Sequence, residues 1–235
     1  MNKAVLVLFV LAAVSFAYSE GREFKCGRVK FSCKEADAQE KWDHDKKSYE
    51  TFMEHLERYT TLKVDKAWNV VSLDKLDDLI KYPILFMTAS GTPDLSDLEI
   101  KNLKEYLDRG GFLFIDDYNW PARGGNIFAE GMRHILEKAY PKNRVVPMEL
   151  DHELLRSHFD IPLGYFSKLW FGKRGTPSEE KSVSGIWILS DDKGRAMVFF
   201  TILLQGTWGG VYWRPEKQED AIKMGINIVM YSLTH

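Results

Sequence analysis

Charge imbalance is missing from this sequence: 32 lysines and arginines face 34 aspartates and glutamates, for a formal net charge of -2. A protein that grips a nucleic-acid duplex usually carries a basic excess, so no nucleic-acid partner is expected, with a local basic patch left open. Cysteine is scarce as well. Cys26 and Cys33 both stand near the N-terminus, so no thiol is available where a strand ends in the middle of the chain. Long apolar runs are absent after the first residues. Every later one is strand-sized or broken by charge, which excludes a spanning helix there. No internal repeat and no low-complexity tract occurs. No elbow sequence surrounds Ser90, which argues for a turn role and against a serine nucleophile.

Enough apolar residue is present, 45% of the chain, to build one substantial domain, while 235 residues are few for two. The first residues read as a targeting segment: Lys3, an apolar run over 4–16, and small residues around Phe16 at Ser15 and Ala17. The run is shorter than the ~20 residues a membrane span needs. We therefore expect a signal peptide at 1–17, a single α/β domain at 18–235, an exported (periplasmic or secreted) protein, and no transmembrane segment after cleavage. Export makes a Cys26–Cys33 disulfide tempting. Residues 28–32 alternate like a strand, however, and seven residues of strand cover about 23 Å, whereas a disulfide needs Cα atoms within about 7 Å. We favour the strand with unpaired thiols over a hairpin around Gly27.

Hydrophobic periodicity lays out the rest. An amphipathic helix is expected near 48–62, a strand near 68–73, a short helix over 74–81 and a continuously apolar strand over 84–88. Ser96 and Glu99 have capping-box spacing ahead of the next helix, and Gly110 closes it as a left-handed cap. Then comes the most informative segment, Gly110-Gly111-Phe112-Leu113-Phe114-Ile115-Asp116-Asp117. A short apolar run ending in two carboxylates reads as a buried parallel strand whose carboxyl end opens on a crevice, where open α/β sheets bind ligands. A helix over 127–140 and a strand over 144–148 lead to Asp151-His152. A hairpin with its turn at 191–194 and a buried final helix over 216–233 complete the pattern. Strands alternating with helices, then a hairpin, give a mainly parallel sheet with an antiparallel extension.

Five local patterns occur in order: Tyr82-Pro83, Leu95-Ser96, Arg109-Gly110-Gly111-Phe112-Leu113 with Asp116-Asp117, Leu150-Asp151-His152, and Met224-Gly225-Ile226-Asn227-Ile228-Val229 through to His235. Together they resemble the exported family known as domain of unknown function 4159. The resemblance implies a fold similar to class I glutamine amidotransferases, a flavodoxin-like three-layer sandwich, and no known activity. Amidotransferases of that fold carry a nucleophilic cysteine on a sharp turn after a central strand. The corresponding turn is expected at Asp116-Asp117-Tyr118, without the thiol. This chain also departs from its family at Ile202-Leu203-Leu204-Gln205, where relatives tend to carry a polar loop.

Asp116, Asp117, Asp151 and His152 are expected at the carboxyl ends of two strands on one rim. Together they can bind a ligand or a divalent metal, or act as acid and base. Alternatively, acids after strands cap helix N-termini. Asp117 and His152 are the preferred ligand contacts, with Asp116 turned toward the scaffold. Asp43-His44-Asp45, following the first strand, can reach the same rim. Trp120, Tyr165, Trp170, Trp208 and Trp213, all read as loop residues, can stack on sugars or anchor a partner, or simply fill loop cores. The leading expectation is a non-catalytic domain that binds a small molecule or saccharide, with no cofactor unless a divalent metal. The rivals are a hydrolase using the acidic rim and an accessory subunit that meets an envelope protein.

Overall fold

A computed structural model describes residues 23–35, 42–118, 127–161, 182–210 and 217–235. The expected signal peptide, Trp120, Gly124-Gly125, Tyr165, Trp170 and Trp213 lie outside the described residues.

Strand β1 (Cys26–Lys30) is followed by the short β2 (Ser32–Cys33) and helix α1 (Lys46–Tyr59). Next come β3 (Val70–Ser72), α2 (Leu76–Leu79), β4 (Ile84–Ala89), β5 (Pro93–Asp94), α3 (Asp97–Asp108) and β6 (Phe112–Asp117). The chain continues through α4 (Ile127–Ala139), β7 (Val145–Glu149), β8 (Ser182–Ser190), β9 (Ala196–Ile202), α5 (Leu204–Trp208) and α6 (Gln218–Thr234). Among the described residues seven strands form one sheet in the order β3-β1-β4-β6-β9-β8-β7. The first five run parallel, and β8 pairs antiparallel with both β9 and β7. Taken in chain order, the parallel strands are arranged second-first-third-fourth-fifth. The direction of succession reverses between β1 and β4, which opens a crevice at their carboxyl ends.

Strands β4 and β6 are buried over their full length, as their unbroken apolar sequences require for strands covered on both faces. Two cores result. On one face α1, α5 and α6 pack through Phe52, Met53, Leu56, Trp208, Ile226 and Tyr231. On the other, α2, α3 and α4 pack through Leu79, Leu103, Leu107, Phe128 and Met132. The fold is therefore a three-layer α/β sandwich, as expected.

Local signals work as the sequence suggests. The Ser96 hydroxyl accepts from Glu99 N, and the Glu99 carboxylate accepts from Ser96 N at 2.8 Å. Gly110 closes α3 at φ 97, and the Arg195 guanidinium donates to the last carbonyls of that helix and its cap, on Leu107, Gly110 and Gly111. Cys26 and Cys33 are both buried and lie in separate strands, Cys26 opening β1 and Cys33 closing β2.

The hairpin extends the sheet as expected, with β9 lying against β6 as the fifth parallel strand and β8 antiparallel to it. Two expectations need correction. Strand β7 is the far edge of the sheet, three places from β6, or about 14 Å at the usual inter-strand spacing. Trp208 is not a loop residue offered to a ligand. It lies in α5, is 1% exposed, and stacks on Phe52 with ring centroids 4.0 Å apart.

Candidate functional site

Successive residues of a strand point to opposite faces of the sheet. At the end of β6 this parity separates Asp116 from Asp117. Asp117 turns toward α4, where its carboxylate accepts from Ala129 N at 2.8 Å in the first turn of that helix. Asp116 turns toward α5, and its two oxygens accept from Leu204 N at 3.0 Å and Gln205 N at 2.7 Å. Each acid thus satisfies N–H groups that a helix start leaves open. Both are buried, Asp117 at 0% and Asp116 at 2% exposure. Burial pushes the Asp116 carboxyl up to about 7; the two backbone N–H groups pull it down, and the charges of Asp45 and Asp117 push it further up. Asp116 thus turns toward the scaffold, as expected, and Asp117 likewise bonds the backbone of a helix start. Asp116 is the acid that faces the charged cluster described below.

A sharp turn at positive φ follows β9, at Leu203. Strand β6 stays regular through Asp117, paired to both neighbours. After β9, Leu203 alone makes the bend into α5, at φ 57 and ψ 20. A bulky residue at positive φ is an outlier that the surrounding structure must hold in place. Leu203 N donates to Asp117 O at 3.0 Å, and the side chain sits in the core at 5% exposure. In hydrolases, a strained strand-to-helix turn of this kind presents the nucleophile, and the N–H of the next residue helps stabilise the oxyanion. Here the bend carries leucine, and the next two N–H groups donate to Asp116.

Beside this bend lies Arg28, which the sequence reading treated only as one residue of an alternating strand. Its Nε donates to Trp42 O at 2.7 Å, Nη1 to Gln205 Oε1 at 2.7 Å and Nη2 to His44 O at 3.4 Å. The guanidinium lies 4.9 Å from the Trp68 ring centroid. Burial pulls its pKa down to about 10, while Asp45, Asp116 and Asp43 oppose that shift, so Arg28 is charged at neutral pH. The Asp43-His44-Asp45 segment therefore does reach the rim, as its place after β1 suggested. Its acids were the signal for a buried cation. Among the described residues, Gln205 Nε2 and Thr201 Oγ1 are buried with no hydrogen-bond partner. Above the cluster the His44 ring stacks on Tyr118 at 4.4 Å, with both residues half-buried.

Asp151 and His152 do not join this rim. His152 Nδ1 accepts from Leu154 N at 3.2 Å and so caps the 3-10 turn Glu153–Arg156. Its ring lies 5.7 Å from that of Tyr231. The Tyr231 hydroxyl accepts from Ala196 N, and its ring touches Phe112. Ala196 and Phe112 open β9 and β6, whereas Asp116 and Asp117 close β6, so His152 belongs to the opposite end of those strands. Burial lowers the His152 pKa, while Glu153, Asp151 and Glu149 raise it and His235 lowers it. Asp151 is exposed. Among the described residues no group of three or more His, Cys, Asp or Glu side chains is placed to hold a metal ion. No helix among them is long and apolar enough to cross a membrane.

Other motif residues hold the fold together. Asn227 Oδ1 accepts from His158 N and Phe159 N, and its Nδ2 donates to Phe159 O. Tyr106 packs its ring against Gly111, and its hydroxyl accepts from Phe112 N and lies 3.1 Å from the Tyr82 and Pro83 carbonyls. Comparison with curated proteins returns no match. The family model of the domain of unknown function DUF4159 matches residues 25–233, nearly all of the described chain, and the protein belongs to that family.

Proposed function

We propose that this chain is an exported, non-catalytic binding domain on an amidotransferase-like scaffold, and that it meets a small hydroxyl-rich ligand such as a saccharide at the carboxyl rim. One observation carries the reading. The strained bend after β9 holds Leu203 where a nucleophile would stand, and Asp116 already accepts from the N–H groups beside it. The second-first-third-fourth-fifth order of the parallel strands supports the scaffold and is consistent with a ligand crevice at the same rim. The stacked His44–Tyr118 pair brings two aromatic rings to the rim, the kind of side chain that packs on sugar rings. The unpartnered Gln205 Nε2 beneath supplies a donor for a hydroxyl. Export rests on Lys3, the apolar run at 4–16, and Ser15 and Ala17.

A melting-temperature screen against envelope saccharides and divalent cations tests this, because a ligand of the native state raises its stability by mass action. The expected result is a saccharide-dependent rise that Tyr118→Ala removes. Glutamine or ester hydrolysis by the purified protein would overturn the non-catalytic reading. A cation-dependent rise abolished by Asp117→Ala would favour a metal-assisted hydrolase instead.

A further inference from the structure

The edge of the sheet at β3 carries a second concavity, lined by none of the residues of the Arg28–Asp116 cluster. A cavity of about 410 Å3 opens there, within the size range of small-ligand sites. Lys30 closes β1, Ser72 closes β3, Lys75 precedes α2, Asp78 lies in α2, and Lys81 and Tyr82 connect α2 to β4; all six line the cavity. The lining thus includes three lysines and one aspartate, and the Lys30 ammonium lies 5.8 Å from the Trp42 ring centroid. Asp78 is bonded to Lys81 at 2.6 Å. Among the described residues, Lys30 and Lys75 form no ion pair within 4 Å. The cavity is a positive concavity in a chain whose net charge is -2.

Lysines on an edge strand often serve only to discourage pairing with another chain. Strand β3 is three residues long, which leaves little backbone for an added strand. Here the lysines come from three separate places in the chain and line one hollow, an arrangement that blunting an edge does not require. The Ser72 hydroxyl and Tyr82 phenol add neutral hydrogen-bond donors. We propose that this cavity binds a small molecule bearing two or more oxyanion groups, of the phosphate or carboxylate kind. Lys30 and Lys75 supply the charge, and Lys81 is shared with Asp78.

Calorimetric titration of the purified protein with inorganic pyrophosphate, and separately with citrate, tests the proposal and distinguishes the two oxyanion kinds. The comparison protein is the Lys30→Gln/Lys75→Gln double variant. All of the substituted side chains are exposed, so folding should be unaffected, and a matching thermal melt checks this. The expected result is saturable 1:1 binding of at least one probe. Binding should weaken about tenfold or more in the double variant and weaken again as ionic strength rises. Absence of saturation with both probes overturns the proposal. So does equal affinity in the folded double variant. Neither result bears on the site proposed above, because Arg28, Asp116, Gln205, His44 and Tyr118 are all absent from this lining.

Discussion

The Arg28 guanidinium donates to the side-chain oxygen of Gln205 at 2.7 Å, tying β1 to α5 across 177 positions of sequence. The bond is buried and charge-assisted, and the remaining Arg28 donors reach the carbonyls of Trp42 and His44. One side chain therefore holds the segment before α1, the first strand and the bend after the last strand in a fixed relation.

Replacing Gln205 by Leu removes that acceptor while leaving the buried cation in place. An unmet donor on a buried charged group is expensive. Gln205→Leu is expected to lower stability by about 1–3 kcal/mol, measured as a shift of the urea midpoint with unchanged slope. An unchanged midpoint would mean that Arg28 finds another acceptor.

Asp116 predicts a pH dependence whose sign can be fixed in advance. Its folded-state pKa, about 7, lies above the ordinary 3.8, so between these values the folded chain holds more proton than the unfolded one. Its contribution is fully present below about 4, is lost as pH rises toward 7, and then levels off. Asp116→Asn cannot ionise and lacks this loss. Relative to wild type, the variant should be more favourable at pH 8 than at pH 5, as read by urea denaturation at both values. A constant difference would show that Asp116 ionises in the folded state as it does in water.

Gly225 lies against the Phe52 and Trp208 rings, and a Cβ at that position would overlap both. The stacked pair is enclosed, and Trp208 Nε1 donates to Ala221 O at 3.0 Å, so neither ring has room to yield. Gly225→Ala should destabilise by about 1–3 kcal/mol through overpacking. Tryptophan fluorescence should follow the same unfolding transition as circular dichroism. An unaltered Tm would show that α6 shifts freely away from α1.

Leu203→Ser places a hydroxyl on the strained bend. Hydrolysis needs a base and an unoccupied oxyanion site, yet the N–H groups of Leu204 and Gln205 already donate to Asp116. The variant should therefore show no activity against simple esters above the wild-type background. Measurable turnover would mean that Asp116 yields its place, and the non-catalytic reading would fail.

Much of the layout was readable residue by residue. Phe112 to Ile115 announce a buried strand, Ser96 and Glu99 mark a helix start, and Gly110 marks an end, because apolar continuity and capping are local properties. The candidate site was less readable. The two acids after Ile115 were visible, but the helix that each one starts was not. Asp117 meets Ala129, twelve residues on, while Asp116 meets Leu204 and Gln205, nearly ninety residues on. Arg28 and Gln205 carried no local mark of burial.

From local physics alone, the sequence specifies an alternating α/β chain with acids at the end of a central strand and no thiol beside them. Folding decides that β9 enters the sheet next to β6, that Leu203 forms the bend, and that β7 with His152 is carried away from Asp116. Sheet order depends on which apolar strands lie side by side, and β4, β6 and β9 are each apolar enough to pair with any of the others. Only their joint packing against the helices on both faces selects one arrangement.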